Sequence, residues 1–148
     1  MAQNTAFRVM PDALIWKDNP AFSKGVQIAT LVGDPTKAGE VVVLRIKFRP
    51  NFQMPPHTHP YSEVVTVISG DDGSSHGEKL EKKGDLLKPG SLWVHPAKHA
   101  HYAWTGSEEG ILQVQFIGPA SITSIRLTIR ANSSRSHCKR PPQADTCL

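Results

Sequence analysis

The chain has 148 residues, of which 39% are hydrophobic and 20% charged, with a formal net charge of +4. This length and composition favour one soluble globular domain over a disordered chain. No apolar stretch approaches the roughly 20 residues of a membrane span. No basic segment followed by an apolar one opens the sequence, so we expect a cytoplasmic protein. Half of the net charge, +2 of +4, comes from Arg135, Lys139 and Arg140 against Asp145. The remainder has no basic stripe interleaved with aromatic residues, which argues against nucleic-acid binding.

Short strands divided by turn residues are predicted along most of the chain. They cover residues 7–10, 13–16, 26–32, 41–49, 85–88, 91–94, 101–105, 111–117 and 121–130. Residues 41–49 alternate most clearly, because apolar side chains occupy the even positions while Arg45, Lys47 and Arg49 occupy the opposite face. No segment keeps a helical apolar period. The pattern therefore indicates an all-β barrel or double sheet.

Three regions are expected. Residues 1–25 form strands packed on a barrel, residues 26–130 form the barrel, and residues 131–148 form a disordered polar tail. Both cysteines, Cys138 and Cys147, lie in that tail. They could close a small disulfide loop, but two free thiols are the preferred interpretation, because such a loop would staple no core.

Residues 51–70 carry the chemistry on which the rest of the interpretation depends. His57 and His59 are two residues apart, so in a strand their side chains share a face, and Glu63 can join them. Three such groups suggest a metal site that needs a fourth ligand from elsewhere. The segment 90–104 supplies three candidates, His95, His99 and His101. His76, in the polar segment 71–84, is expected at the surface.

The two segments resemble the paired motifs of the cupin superfamily. Matching positions are His57, His59, Glu63 and Gly70 in the first motif and Gly90, Pro96 and His101 in the second. Asn51 and Lys98 stand where the motifs have Gly, and Thr105 stands where the second has Asn. We expect that the turn at Lys98 needs no positive φ. The resemblance covers about residues 26–129. Within the superfamily, the chain is similar to small single-domain bacterial cupins of unknown function.

The resemblance implies a double-stranded β-helix (jelly-roll) barrel and a homodimer, and it selects His101 as the third imidazole. Three imidazoles and a carboxylate suit one divalent transition metal: Mn, Fe, Co, Ni, Cu or Zn. They leave coordination positions open, as in reactive rather than structural sites. The metal should be lost as the pH falls through the imidazole range, because the ligands must be deprotonated.

A metal-dependent enzyme acting on a small molecule is the first functional hypothesis. The resemblance implies dioxygenase, lyase or isomerase chemistry, of which we favour a dioxygenase acting on an enolisable, diketone- or flavonol-like substrate. Glu63 would leave the metal to serve as the catalytic base. The alternative is a binding module that holds a metal or small ligand without turnover.

The pocket is predicted from strand alternation. If His101 points inward, Ala103 does too, while Tyr102 and Trp104 face outward. Phe52 and Met54 are candidate pocket walls, with ordinary core packing as the alternative. Gln115 is a candidate hydrogen-bonding partner for substrate, although a solvated outer face suits it equally. Tyr102, Trp104 and Trp93 on an outer face would suit a dimer interface or a cover by the N-terminal strands.

Overall fold

Ten strands in two antiparallel sheets make up the regular structure of residues 5–22 and 24–126, the part of the chain described by the computed structural model. The strands are β1 Lys17–Asp18, β2 Val26–Val32, β3 Val41–Phe48, β4 Gln53–Thr58, β5 Glu63–Ser69, β6 Asp72–His76, β7 Leu92–His95, β8 His101–Thr105, β9 Gly110–Ile117 and β10 Thr123–Ser124. The larger sheet has the order β1-β2-β3-β9-β5-β7, and the smaller has the order β10-β4-β8-β6. The predicted all-β barrel is confirmed. No helix long and apolar enough to cross a membrane occurs among these residues.

The core is made by the alternating faces of the central strands. Val42, Leu44 and Phe48 of β3 are buried. β9 pairs with β3 along its whole length, with Leu44 opposite Val114. Because both strands send every second side chain inward, one face of the large sheet is apolar and the other carries the polar residues. The predicted strands 26–32 and 101–105 have the observed bounds, and two others differ by one residue.

The N-terminal segment departs from the prediction. Neither 7–10 nor 13–16 is a strand; Pro11–Ala13 form a 3-10 turn, and only Lys17–Asp18 pair with β2. Four apolar side chains of the segment are exposed by 40–74%: Phe7, Val9, Met10 and Ile15. Pro11 has no N–H to give to a ladder, and it suits the first position of a helical turn. The segment therefore adds little to the core.

Two further predicted strands are shorter than expected. Residues 85–88 contribute a single bridge between Leu87 and Asp72, and the last strand is limited to Thr123–Ser124. The described residues end at 126. The prediction for the end of strand 121–130, the tail 131–148 and both cysteines therefore concerns residues outside them.

The prediction that Tyr102 and Trp104 form an exposed surface is wrong, although both lie on the opposite face of β8 from the cavity-lining His101 and Ala103. Tyr102 and Trp104 are 2% and 6% exposed, and their rings contact each other with centroids 5.9 Å apart. Trp93 lines an internal cavity. Alternation assigns a side chain to one side of its own sheet but does not show whether other chain segments pack on that side. These three rings therefore do not provide a dimer surface, and a homodimer stays a prediction.

Candidate metal centre

Three strand ends bring the predicted ligands together. His57 lies near the end of β4 and His59 just after it, while Glu63 opens β5 and His101 opens β8. His57 pairs with His101 across β4 and β8. The same ladder pairs Met54 with Ala103, so three steps along β4 match two along β8. This bulge turns both Met54 and His57 inward, although a regular strand would send them to opposite faces.

The donor atoms of these four side chains converge. Nitrogen atoms of His57, His59 and His101 all lie within 4.8 Å of one another. The Glu63 carboxylate lies beside them, with Oε1 3.2 Å from His101 Nε2 and Oε2 3.7 Å from His59 Nε2. His57, Glu63 and His101 are buried. The sequence therefore identified a set of residues that the fold does assemble.

Backbone carbonyls orient all three imidazoles. The Nδ1 atoms of His57, His59 and His101 contact carbonyl oxygens of Pro55, Ser121 and His99 at 2.7, 2.6 and 2.9 Å. A carbonyl oxygen only accepts, so each neutral ring carries its proton on Nδ1. The lone pair of each Nε2 is then free. Such hydrogen bonds behind a ligand are typical of histidines that bind metal ions.

The donor set fits a cation. His101 Nε2 is buried and has no hydrogen-bond partner, although a carboxylate oxygen is 3.2 Å away. With the proton on Nδ1, this contact places two electron-rich atoms against each other, an arrangement that a metal ion between them would stabilise. Burial lowers the pKa of His57 to about 4, so its ring is neutral at pH 7. Neutral imidazoles are the form that binds a transition metal.

The other predicted histidine candidates have different surroundings. His99 is exposed and supplies its carbonyl, not its ring, to the centre. His76 is exposed, as expected, and its ring is tilted by 51° against that of His99, with centroids 4.7 Å apart. His95, by contrast, is 3% exposed, and one of its ring nitrogens lies within 4.8 Å of donor atoms of Glu63 and His101. The resemblance to cupin motifs selected His101 over His95, and the sequence did not indicate this contact.

A cavity of about 580 Å³ opens beside the centre. Met54 and Ala103 line it, whereas Phe52 stacks on Phe48 in the core and Gln115 is exposed on the outer face. Met54 and Ala103 belong to the smaller sheet, and the larger sheet supplies the other apolar walls: Ile28, Leu44, Ile46, Phe48, Val65, Leu112, Val114 and Phe116. Among the described residues that line it there is no Lys or Arg, and Glu63 is the one acidic side chain.

The turn before His101 corrects one further expectation. Lys98 has φ +62°, so the position where cupins have Gly is left-handed here as well. Its N–H donates to the carbonyl of His59 at 2.7 Å. The absence of Gly therefore does not indicate a different turn, because a lysine adopts the same conformation at some cost in strain.

These features define a jelly-roll barrel with a candidate metal centre in its interior. The family model described as Cupin matches residues 24–130. The chain therefore belongs to the cupin family. No curated protein sequence matches it significantly.

Solved structures share the fold. The polyketide cyclase RemF from Streptomyces resistomycificus aligns with a TM-score of 0.65 and 20% identity, covering 84% of this chain and 89% of its own. KdgF from Halomonas sp. gives 0.61 and 19%, covering 79% and 96%. The DMSP lyase DddQ from Ruegeria pomeroyi DSS-3 gives 0.61 and 16%, covering 76% of this chain and 61% of its own. At these identities the likeness shows the fold alone.

Proposed function

We propose that this cupin is a metal-dependent enzyme that acts on a small, enolisable and largely apolar molecule, with a diketone or flavonol dioxygenase as the first candidate. One observation carries the proposal: the three imidazoles and the carboxylate converge at the wall of an apolar cavity. A closed structural site would have no such cavity beside its ligands.

The cavity walls favour a particular class of substrate. A volume of about 580 Å³ is within the range of pockets that enclose small organic ligands. Because no cationic side chain lines the wall among the described residues, a permanently anionic substrate would find no protein counter-charge there. A diketone or flavonol-like molecule needs none, since it is neutral until it loses a proton at the centre. Its apolar body would pack against residues such as Met54 and Phe116.

His57, His59, Glu63 and His101 would hold the metal. A bound divalent metal would supply Lewis acidity toward the enolate oxygen and, if redox-active, access to O2. Glu63 is the residue suited to proton transfer, because its buried carboxylate lies at the cavity wall beside the place where a chelating oxygen would bind. Ala103 leaves room next to His101, and the apolar walls exclude water from the enolate.

Two alternatives use the same centre. The chain could bind a metal or small ligand without turnover, or it could catalyse a lyase, isomerase or cyclisation reaction without O2. The second is favoured by the polyketide cyclase RemF, with which this chain shares a barrel over 84% of its length. Both alternatives differ from a dioxygenase in O2 consumption.

Elemental analysis of protein purified without chelator, followed by O2 uptake on a panel of neutral diketones and flavonols, tests the proposal. Stoichiometric metal with substrate-dependent O2 uptake would support the dioxygenase. Metal with substrate consumption but no O2 uptake would support the lyase, isomerase or cyclase alternative. Metal without any turnover would leave the binding module, and no metal even after reconstitution would reject all three.

The role of Glu63 is tested separately with Glu63→Gln in metal-replete protein. We expect substrate binding to persist and turnover to fall by at least about 100-fold, the usual contribution of a general base. Unchanged turnover at full metal occupancy would remove Glu63 from proton transfer.

A further inference from the structure

His95 has the position of a fifth metal ligand. It ends β7, where it pairs with Glu63, the first residue of β5. Its ring is buried, lines the cavity, and has a nitrogen within 4.8 Å of donor atoms of Glu63 and His101. The barrel therefore offers two groups of donor atoms that overlap at His101: His57, His59 and His101 in one, and Glu63, His95 and His101 in the other.

Trp93 removes the free lone pair that His95 would need. The indole Nε1–H, which can only donate, lies 2.6 Å from His95 Nε2. Nε2 is therefore the acceptor, and the single proton of the neutral ring is on Nδ1. Ser74 Oγ lies 3.2 Å from the same Nε2, but its hydroxyl proton is donated to the carbonyl of Tyr102, so Trp93 is the donor to His95. Neither ring nitrogen retains a lone pair for a metal.

The orientation of the ring also opposes ligation. The rings of His95 and His101 are stacked with centroids 3.7 Å apart and an angle of 9° between their planes. A metal bound to an imidazole lies close to the plane of that ring, since the nitrogen lone pair does. Two nearly parallel planes at van der Waals separation, about 3.5 Å, do not share such a point. His95 would have to tilt away from both His101 and Trp93 before it could bind.

We propose that Trp93 is a positioning residue that keeps His95 out of the coordination sphere, so that the metal position facing the cavity stays available to an exogenous ligand. The inference rests on the proposed metal centre. A fifth protein ligand there would occupy the place where a substrate oxygen has to bind, and the hydrogen bond from Trp93 prevents it.

Two measurements on Cu(II)-loaded protein test the inference. Pulsed EPR without azide counts the histidine nitrogens bound to the metal, and a titration with azide measures the affinity for an exogenous ligand. Wild type and His95→Gln should both show three. Trp93→Phe, which keeps an aromatic ring but removes the N–H, should show four and should bind azide more weakly by about tenfold or more, since His95 then competes for one position. The double variant Trp93→Phe/His95→Gln should return to three nitrogens and to wild-type azide affinity.

A drop in the nitrogen count from wild type to His95→Gln would overturn the inference, as would an unchanged count and azide affinity in Trp93→Phe. Should Trp93→Phe fail to fold, 1H–15N spectra of wild-type protein loaded with 113Cd decide: a proton on His95 Nδ1 with no 113Cd coupling to either ring nitrogen supports the inference, and coupling to a His95 nitrogen rejects it. Failure of the proposed function would look different, because wild-type protein would then take up no metal or would bind it without turnover.

Discussion

Replacing His101 with Gln gives the sharpest test of the centre. The ring is 3% exposed, and its Nε2 has no partner other than the nearby carboxylate. A metal at 100 times its Kd stabilises wild type by about 2.7 kcal/mol, which raises Tm by roughly 5–10 °C in a chain of this size. If His101→Gln weakens binding by about 100-fold, the same metal concentration gives only about 0.4 kcal/mol, or roughly 1–2 °C.

Thermal unfolding with metal and with EDTA, compared within each variant, measures this shift without interference from changes in packing. His99→Gln and His76→Gln are the matched controls, because both rings are exposed and His99 contributes only its carbonyl, which Gln keeps. Both controls should retain the full shift. A full shift in His101→Gln, or its loss in His99→Gln, would refute the assignment of the third imidazole.

Three further outcomes are expected, each measured by urea unfolding in EDTA. Burial lowers the pKa of His57 to about 4, whereas the unfolded ring binds a proton at its ordinary pKa of 6.5. His57 should therefore lower the free energy of unfolding by an amount on the order of 3 kcal/mol as the pH drops from 6.5 to 4. The difference between wild type and His57→Gln separates this contribution from those of His95 and Asp72, whose pKa values burial also shifts; the same pH dependence in both proteins would contradict the cause. Thr105→Val should lower the free energy of unfolding by about 1–3 kcal/mol. The buried hydroxyl accepts a hydrogen bond from Phe52 N–H and donates one to the carbonyl of Arg49, both at 2.8 Å. A loss below about 0.5 kcal/mol would show that other contacts replace these bonds. Lys98→Gly should raise the free energy of unfolding by up to about 1 kcal/mol, because the relief of strain in the folded state exceeds the cost of the greater chain entropy of glycine in the unfolded state. A clear loss of stability would count against strain at φ +62°.

Strands with two chemically different faces could be predicted from sequence. β3 has apolar residues on one side and Arg45 and Lys47 on the other. The strand predicted from this pattern, 41–49, agrees with the observed strand to one residue. The segment 7–16 also contains short apolar stretches, but four of its apolar side chains stay exposed. Local composition shows that a segment can form a strand, and it does not show whether a partner strand is available.

The donor residues of the centre were predictable for a different reason. His57, His59 and Glu63 are close in sequence, and the resemblance to paired cupin motifs added His101. The position of His95 depends on the pairing of β7 with β5, a contact between residues 63 and 95 that spacing does not encode. The inward bulge at Met54 and His57 is likewise a property of the β4–β8 register. Contacts set by register were therefore the part that sequence reasoning missed.

The departures from the cupin motifs show what those motif positions require. Asn51 and Lys98 stand in place of Gly, yet both have positive φ, +54° and +62°. Lys98 N–H donates to the carbonyl of His59, so the left-handed turn ties the loop before His101 to the second histidine. The requirement is thus a backbone conformation that aims the imidazoles, and residues other than Gly meet it at a cost in stability. Lys98→Gly should accordingly raise stability while leaving metal affinity unchanged; a change in affinity would show that the lysine side chain itself acts on the centre.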